Sequence, residues 1–143
     1  TVLDVGSGAG LPGIPLAITL PDRQFVLLDS NGKKTRFITQ AKIDLKLDNV
    51  EVVHSRVEDY AVGSGAPDFD VIISRAWADI DGILSATQHL QSVHTRILVM
   101  QGKLEQAISD DRYRLLDSAR LEVPGLGAER HLLEIGQAQA RSI

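Results

Sequence analysis

The sequence contains no cysteine, which excludes disulfide bonds, thiolate metal sites and a cysteine nucleophile, and fits a reducing cytoplasm. No apolar stretch approaches the roughly 18 residues that a membrane-spanning helix needs. Positive charge is not in excess, because 15 Lys and Arg against 19 Asp and Glu give a formal net charge of −4. The four histidines show no metal-ligand spacing. We therefore expect a cytoplasmic protein without a metal, in which any contact with RNA comes from a local basic patch.

The chain has 143 residues, of which 43% are hydrophobic, and this predicts a single globular domain. It opens inside an apolar strand at Thr1, with neither an initiator Met nor a secretory leader. We expect a fragment that lacks its natural N-terminal part. Residues 1–143 are predicted to form one ligand-binding domain, and we expect it to be a monomer.

Short apolar runs alternate with segments of helical period, which predicts βαβ units and a parallel sheet. The predicted strands are Val2–Val5, Phe25–Leu28, Val50–Val53, Asp70–Ser74 and Ile97–Met100. The predicted helices are Pro12–Leu20, Gly32–Leu47, Ile80–Leu90 and Leu104–Leu116. In the second helix we expect one buried face, made of Phe37, Ile38, Ala41 and Leu45. Residues 63–67 have the composition of a surface loop.

The C-terminal part changes character. Ala119–Val123 and His131–Ile135 are two apolar-patterned runs, and only a short Pro-Gly-Leu-Gly loop lies between them. That connection is too short for a helical crossover, so the two strands are predicted to be antiparallel.

A glycine-rich motif, Asp4-Val5-Gly6-Ser7-Gly8-Ala9-Gly10, lies directly between the first strand and the first helix. Glycine permits a sharp turn and lets a ligand approach the main chain at the free amides of the helix N-terminus. The spacing is G-x-G-x-G, which differs from the dinucleotide fingerprint G-x-G-x-x-G and disfavours pyrophosphate without excluding it. A plain tight turn is the simpler alternative, and the three alternating glycines argue against it.

Asp29 ends the second strand, where a carboxylate can accept hydrogen bonds from both ribose hydroxyls of a nucleoside. The alternative is a helix cap, for which Asp29 or Ser30 would serve. The segment 56–59 follows the third strand, so Val57 and Glu58 should flank a base in the ligand crevice. Arg75 follows the fourth strand and could hold a carboxylate or a phosphate, although a surface ion pair explains it equally well.

Three basic residues near the mouth of the predicted crevice, Lys33, Lys34 and Arg36, could contact RNA phosphates. Solvated helix charges are the simpler alternative. No acid–base pair stands out as a catalytic centre, and Arg75 is the one candidate for orienting a ligand or substrate.

The sequence resembles the GidB (RsmG) methyltransferases over nearly its whole length. The matching segments are 3–18 with its Gly-Leu-Pro-Gly extension, Leu27-Leu28-Asp29-Ser30 with Lys33-Lys34, Ser55-Arg56-Val57-Glu58, Ser74-Arg75-Ala76 and Glu129-Arg130-His131-Leu132. The Gly-Leu-Pro-Gly extension makes the resemblance far more specific than three alternating glycines do.

The resemblance implies an α/β, Rossmann-like, S-adenosylmethionine-dependent methyltransferase fold, with a mostly parallel sheet and a C-terminal antiparallel hairpin. It also implies methyl transfer to N7 of a guanosine in small-subunit (16S) ribosomal RNA, with the RNA or the ribosomal subunit as partner. The cofactor contacts that we expect are at Asp4, Gly6, Gly8, Leu11, Asp29, Val57, Glu58 and Arg75.

Two departures from the family pattern leave alternatives open. The family often has Lys-Gly at the end of the fifth strand, where this chain has Gln101-Gly102 followed by Lys103, and the family's N-terminal helical segment would belong to the part that we expect to be missing from this sequence. A small-molecule methyltransferase, a nicotinamide-dependent oxidoreductase and a non-catalytic RNA- or ribosome-binding module remain as competing interpretations.

Overall fold

The computed structural model describes residues 1–61, 68–75, 79–102 and 108–138. Its regular elements are β1 (Val2–Val5), α1 (Gly13–Thr19), β2 (Phe25–Asp29), α2 (Gly32–Leu45), β3 (Val50–His54), β4 (Val71–Arg75), α3 (Ile80–Thr87), β5 (Arg96–Gln101), β6 (Tyr113–Leu121) and β7 (Arg130–Gln137). Two short 3-10 helices, Val57–Asp59 and Gln88–Leu90, follow β3 and α3. Within the described part of the chain, no helix is long and apolar enough to cross a membrane.

The strands form one seven-stranded sheet in the order β3-β2-β1-β4-β5-β7-β6. The first five strands pair in parallel, whereas β7 is antiparallel to both β5 and β6. The predicted fold class, a mostly parallel α/β sheet ending in an antiparallel hairpin, is confirmed. The order reverses at β1, which lies between β2 and β4, and a crevice opens beyond the carboxyl ends of strands at such a point.

Apolar side chains fill both faces of the sheet. The larger cluster includes Leu3, Val5, Ile72, Ile83 and Ile97 and packs α3 against the sheet. On the opposite face a smaller cluster packs α1 and α2. Its members are Ile14, Ala17, Phe25, Leu27, Ile38 and Val50. These two layers hold the strand ends in fixed positions, and the loops that follow the strands are built on them.

Polar side chains fasten the amino end of the sheet. The side-chain amide of Asn49, directly before β3, donates to the carbonyls of Ala17, Leu20 and Arg23 at 3.1, 3.3 and 3.0 Å. Further along the same end, the Thr95 hydroxyl donates to the Phe69 carbonyl at 2.8 Å. Such bonds satisfy carbonyls at the end of α1 and in the turns between elements, although the Leu20 carbonyl also accepts from the Arg23 amide at 3.1 Å.

One predicted element is wrong. The helix predicted over Leu104–Leu116 conflicts with the structure, in which Tyr113 begins the nine-residue strand β6 (residues 104–107 lie outside the described residues). Strand β6 also begins six residues before the predicted start at Ala119. It is an edge strand that is mostly exposed, so its residues show no alternation of apolar and polar side chains. A register irregularity between Leu115 and Asp117 disturbs the pattern further.

The predicted buried face of α2 is also only partly correct. Ile38 is fully buried, but Phe37 is 59% exposed and Leu45 is 50% exposed, while Thr35 is buried in their place. The sheet covers only the narrow stripe of α2 that carries Thr35 and Ile38, because α2 lies over the outer strands β2 and β3. The predicted loop at 63–67 lies outside the described residues.

Candidate functional site

The loop after β1 is a sharp turn built from glycines. Gly6, Gly8 and Gly10 have backbone φ angles of 69°, 59° and 86°, a region that residues other than glycine rarely adopt. The amides of Gly6 and Ser7 both donate to the Leu28 carbonyl at 2.9 and 3.1 Å. The loop therefore leaves β1 and turns at once across the end of β2.

The helix that follows packs closely on this loop. A Cβ on Gly10 would lie 2.6 Å from Cγ1 of Ile14, and one on Gly13 would lie 2.7 Å from both the Asp4 carboxylate and Cγ of Leu27. Side chains at these two positions would force the loop and α1 apart. The alternating glycines serve both the turn and this packing, so the motif is more than a simple reversal.

Asp4 lies under the loop and is only 1% exposed. Its Oδ2 accepts hydrogen bonds from the Ser7 hydroxyl at 2.8 Å and from the Gly13 amide at 2.9 Å. Burial raises the pKa of Asp4 to about 6, against the smaller opposing effects of these two donors and of the Arg75 charge. Asp4 thus ties the start of the loop to the start of α1.

Asp29, the last residue of β2, joins two loops. One carboxylate oxygen accepts from the Gly8 amide and the other from the Asn31 amide, both at 2.8 Å. Its side chain is buried, and it also lines the cavity described below. The loop after β1 and the loop after β2 are therefore fixed to the same side chain.

The cap of α2 is Asn31, so the alternative role for Asp29 or Ser30 as helix cap is wrong. The Asn31 side-chain oxygen accepts from the amides of Lys33 and Lys34 at 2.9 and 3.3 Å. Asn31 is among the preferred capping residues, and its position directly before Gly32, the first residue of the helix, was the available sequence signal.

A cavity of about 350 Å³ opens between these loops at the carboxyl ends of β1, β2 and β3. Its lining residues are Val5, Gly6, Leu28, Asp29, Ser30, Lys34, Ser55, Arg56, Val57 and Glu58. The structure thus brings together the predicted site residues of three separate segments. The 3-10 helix Val57–Asp59 forms one wall, with Val57 buried and Glu58 exposed.

Gly8 and Asp4 lie behind this cavity, and Leu11 and Arg75 lie outside its lining. Leu11 is 45% exposed on the loop. Arg75, at the end of β4, reaches the loop from the other side: its Nη2 lies 3.4 Å from the position that a Cβ on Gly8 would occupy. Arg75 therefore borders the continuation of the crevice toward β4, and residue Ala76 of the same motif lies outside the described residues.

The three predicted RNA-contacting residues begin α2. Lys34 lines the cavity, whereas Lys33 and Arg36 are exposed outside it. Among the described residues, none of the three forms an ion pair with a carboxylate.

Two histidines form hydrogen bonds with main-chain carbonyls next to the cavity, and no pattern in the sequence singled them out. His54 Nε2 lies 3.0 Å from the Ser30 carbonyl oxygen, and His89 Nε2 lies 3.1 Å from that of Tyr60. Within the described ranges no group of three or more potential ligands could hold a metal ion. Gln101 ends β5 opposite His131 of β7, and Lys103 lies outside the described residues.

Comparison with known families gives one match over most of the chain. The family model described as GidB, rRNA small subunit methyltransferase G, matches residues 1–133. A protein of Stutzerimonas stutzeri named ribosomal RNA small subunit methyltransferase G is 50% identical over 137 residues. A protein of the same name from Pseudomonas syringae pv. tomato is 51% identical over 136 residues. These matches cover 92% of this chain but only 61% and 62% of the relatives, so the chain spans under two thirds of their length.

Solved structures share the fold at low sequence identity. A mutant of MtNAS in complex with S-adenosylmethionine has a TM-score of 0.72 at 17% identity, covering 96% of this chain and 55% of that one. An rRNA methylase from Streptococcus thermophilus has a TM-score of 0.66 at 15% identity, covering 96% of this chain and 86% of that one. At these identities the similarity shows the fold alone.

Proposed function

This chain belongs to the GidB family, rRNA small subunit methyltransferase G, and we propose that it binds S-adenosylmethionine and transfers its methyl group to N7 of a guanosine in small-subunit (16S) ribosomal RNA. The observation that carries the proposal is the cavity in which the glycine loop, Asp29 and Val57–Glu58 converge. Because the chain spans under two thirds of its relatives, the activity of the whole protein is part of this proposal.

The residues present fit the nucleoside part of this cofactor. Each carboxylate oxygen of Asp29 accepts one amide, and since such an oxygen can accept a second hydrogen bond, both remain available to ribose hydroxyls. The apolar side chains of Val5, Leu28 and Val57 line the same cavity and suit the faces of an adenine ring. Its volume of about 350 Å³ is within the usual range for small-molecule sites.

We assign the remaining contacts by position. Glu58 and the main chain of the 3-10 helix border the adenine edge. We assign Gly6, Leu11 and Arg75 to the methionine part, because Gly6 and Leu11 belong to the glycine loop and Arg75 reaches that loop from the end of β4. Arg75 would orient the carboxylate of the methionine part or the target nucleotide. Gly8 and Asp4 act from behind the loop, because their hydrogen bonds go to Asp29, Ser7 and Gly13.

S-adenosylmethionine, held by Asp29 and the glycine loop, would supply a methyl group on a positively charged sulfur. Guanine N7 would form a bond to the methyl carbon as the carbon–sulfur bond breaks, and S-adenosylhomocysteine would leave as a neutral thioether. N7 carries no proton, so the reaction requires no general base. The work of the protein is to hold the reacting atoms in line and to keep water out. This agrees with a site in which the converging groups are hydrogen-bond donors and acceptors for binding.

RNA contact is proposed at the start of α2. Lys33, Lys34 and Arg36 would contact phosphates beside the cavity, since they are the basic residues nearest its mouth on that helix. Action in the cytoplasm and a monomeric state remain predictions that follow from the proposed substrate and from the sequence.

Two measurements test the proposal. The chain, incubated with small ribosomal subunits that lack the modification and with methyl-labelled S-adenosylmethionine, should produce 7-methylguanosine in the nuclease digest of the RNA. Calorimetry should show binding of S-adenosylhomocysteine and no binding of NAD.

The matched control compares two aspartates. Asp29→Asn should weaken S-adenosylhomocysteine binding by at least about tenfold, because a charge-assisted acceptor of the ribose is lost. Asp22→Asn, at an exposed position away from the cavity, should leave binding unchanged.

Absence of S-adenosylhomocysteine binding at millimolar concentration would reject the cofactor. Binding without 7-methylguanosine, in this chain and in the protein extended to the length of its relatives, would reject the substrate.

A further inference from the structure

His54 supports the turn between β2 and α2. It ends β3, directly opposite Asp29 in the parallel register, and its Nε2 lies 3.0 Å from the Ser30 carbonyl oxygen. Gly32 leaves room for the imidazole, because a Cβ there would lie 3.3 Å from the His54 Cε1. The residue whose carbonyl is held lines the cavity and lies next to Asp29.

His89 supports the opposite wall in the same manner. It lies in the 3-10 helix after α3, and its Nε2 lies 3.1 Å from the carbonyl oxygen of Tyr60. Tyr60 closes the 3-10 helix that carries Val57 and Glu58, and its amide bonds back to the Val57 carbonyl at 3.3 Å. The contact from His89 therefore fixes the end of the segment that forms the wall.

We propose that His54 and His89 are positioning residues, each of which holds one wall of the cofactor cavity through a hydrogen bond from its imidazole to a main-chain carbonyl. The inference rests on the proposed function, since the ligand is S-adenosylmethionine or its product. Neither imidazole lines the cavity, so both act through the segments that they hold.

The chemistry of the acceptors explains why histidine suits these positions. A carbonyl oxygen only accepts, so each imidazole must present Nε2–H, and in the neutral ring this fixes the tautomer. The Ser30 carbonyl lies in a turn, outside the ladders of the sheet. Without its donor, the turn at Ser30, directly after Asp29, would lose one of its restraints, and ligand binding would then have to order this turn.

Three substitutions at each histidine separate the hydrogen bond from the shape of the ring. His54→Phe and His89→Phe keep a flat ring and remove the donor. His54→Gln and His89→Gln place an amide N–H where Nε2 was, whereas His54→Asn and His89→Asn carry the same group on a shorter stem. His94→Phe is the control, because His94 is exposed in a loop away from the cavity.

The measured quantities are the Kd of S-adenosylhomocysteine by calorimetry and, without ligand, the free energy of unfolding in urea. We expect the Phe and Asn variants to raise the Kd about three- to tenfold, the size of one ordinary hydrogen bond. The Gln variants should remain within about twofold of the wild type, and His94→Phe should match it. Should a Phe variant fail to fold, the Gln and Asn pair gives the same comparison.

Wild-type affinity in the Phe or Asn variants would overturn the inference, and so would Gln variants that bind as weakly as Asn. If the Kd of each variant rises only as far as its free energy of unfolding falls, the inference is also overturned. Such a correlation is expected when the histidines only stabilise the fold. If the wild type itself binds no S-adenosylhomocysteine, the proposed function fails and takes the inference with it. Wild-type binding with unaffected variants rejects the inference alone.

Discussion

Asp4 is a carboxylate buried beneath the loop that it organises. Burial raises its pKa from 3.8 to about 6, although Ser7 and Gly13 donate to the same oxygen. Its other oxygen, Oδ1, has no hydrogen-bond partner among the described residues. Asp4 therefore strengthens the connection between β1 and α1 at a cost that depends on pH.

We predict that Asp4→Asn changes the pH dependence of stability. Between the unfolded pKa of 3.8 and the folded pKa of about 6, the folded state binds more protons, so this group's contribution to stability falls as pH rises. The neutral amide still offers an oxygen to Ser7 and Gly13 and avoids this loss. The free energy of unfolding of Asp4→Asn, measured relative to the wild type by urea unfolding, should therefore be higher at pH 7 than at pH 4 by on the order of 2–3 kcal/mol. A difference between the two proteins that is independent of pH would contradict the prediction.

Among single residues, the glycines of the loop after β1 could be identified from the sequence, because their spacing directly after a strand predicts a sharp turn. The glycine spacing pointed to Gly6 and Gly8, and the end of the second strand pointed to Asp29, whereas the contacts of these residues with the cofactor remain predictions. Asn31 could have been found as a preferred capping residue directly before a helix, because its partners are amides two and three residues further on. His54 and His89 did not stand out, because their partners are main-chain carbonyls that only the folded turns bring close. No pattern of side chains in the sequence records such contacts.

At the scale of elements, Asn49 joins α1 to β3. Its amide donates to three carbonyls at the end of α1 and in the turn that follows, and the residue is only 8% exposed. Few side chains among the described residues connect as many main-chain groups, so the packing of α1 on the sheet depends on Asn49.

We predict that Asn49→Ala lowers the free energy of unfolding by about 2–3 kcal/mol, because buried carbonyls lose their donor. Asn49→Asp should cost more, since a carboxylate would face three carbonyl oxygens in the same space. Urea unfolding at pH 7 measures both, and Asp48→Ala at the exposed neighbouring position serves as control. An Asn49→Asp variant as stable as the wild type would show that the contact carries little energy.

Strands β1, β2 and β4 were predictable because most of their residues are buried, so their sequences are nearly continuous apolar runs. The first six residues of β6 were not predicted as a strand, because β6 is held by pairing with β7 and its sequence resembles a solvated segment. The burial of Phe37 on α2 was not predictable either, because this side chain is exposed although the helical period placed it on the buried face. Helical period identifies a helix, but the neighbouring strands decide how wide a stripe of it is covered.

For the molecule as a whole, ligand binding and folding should be linked. Asp29 connects the loops after β1 and β2, so a ligand that occupies the cavity binds only the folded chain. S-adenosylhomocysteine at 100 times its Kd should therefore raise the free energy of unfolding by about 2.7 kcal/mol. Thermal and urea unfolding with and without ligand test this. NAD at the same concentration is the control, and an unchanged stability with saturating S-adenosylhomocysteine would contradict the linkage.

The contacts made by Asn49 and Thr95 lie at one end of the sheet, and the cavity lies at the other. The stabilising contacts of Asn49 and Thr95 are therefore separated from the cavity by the length of the strands. Substitutions that strengthen the contacts at the amino end should leave the cavity unchanged, and substitutions in the cavity lining should alter ligand binding without removing those contacts.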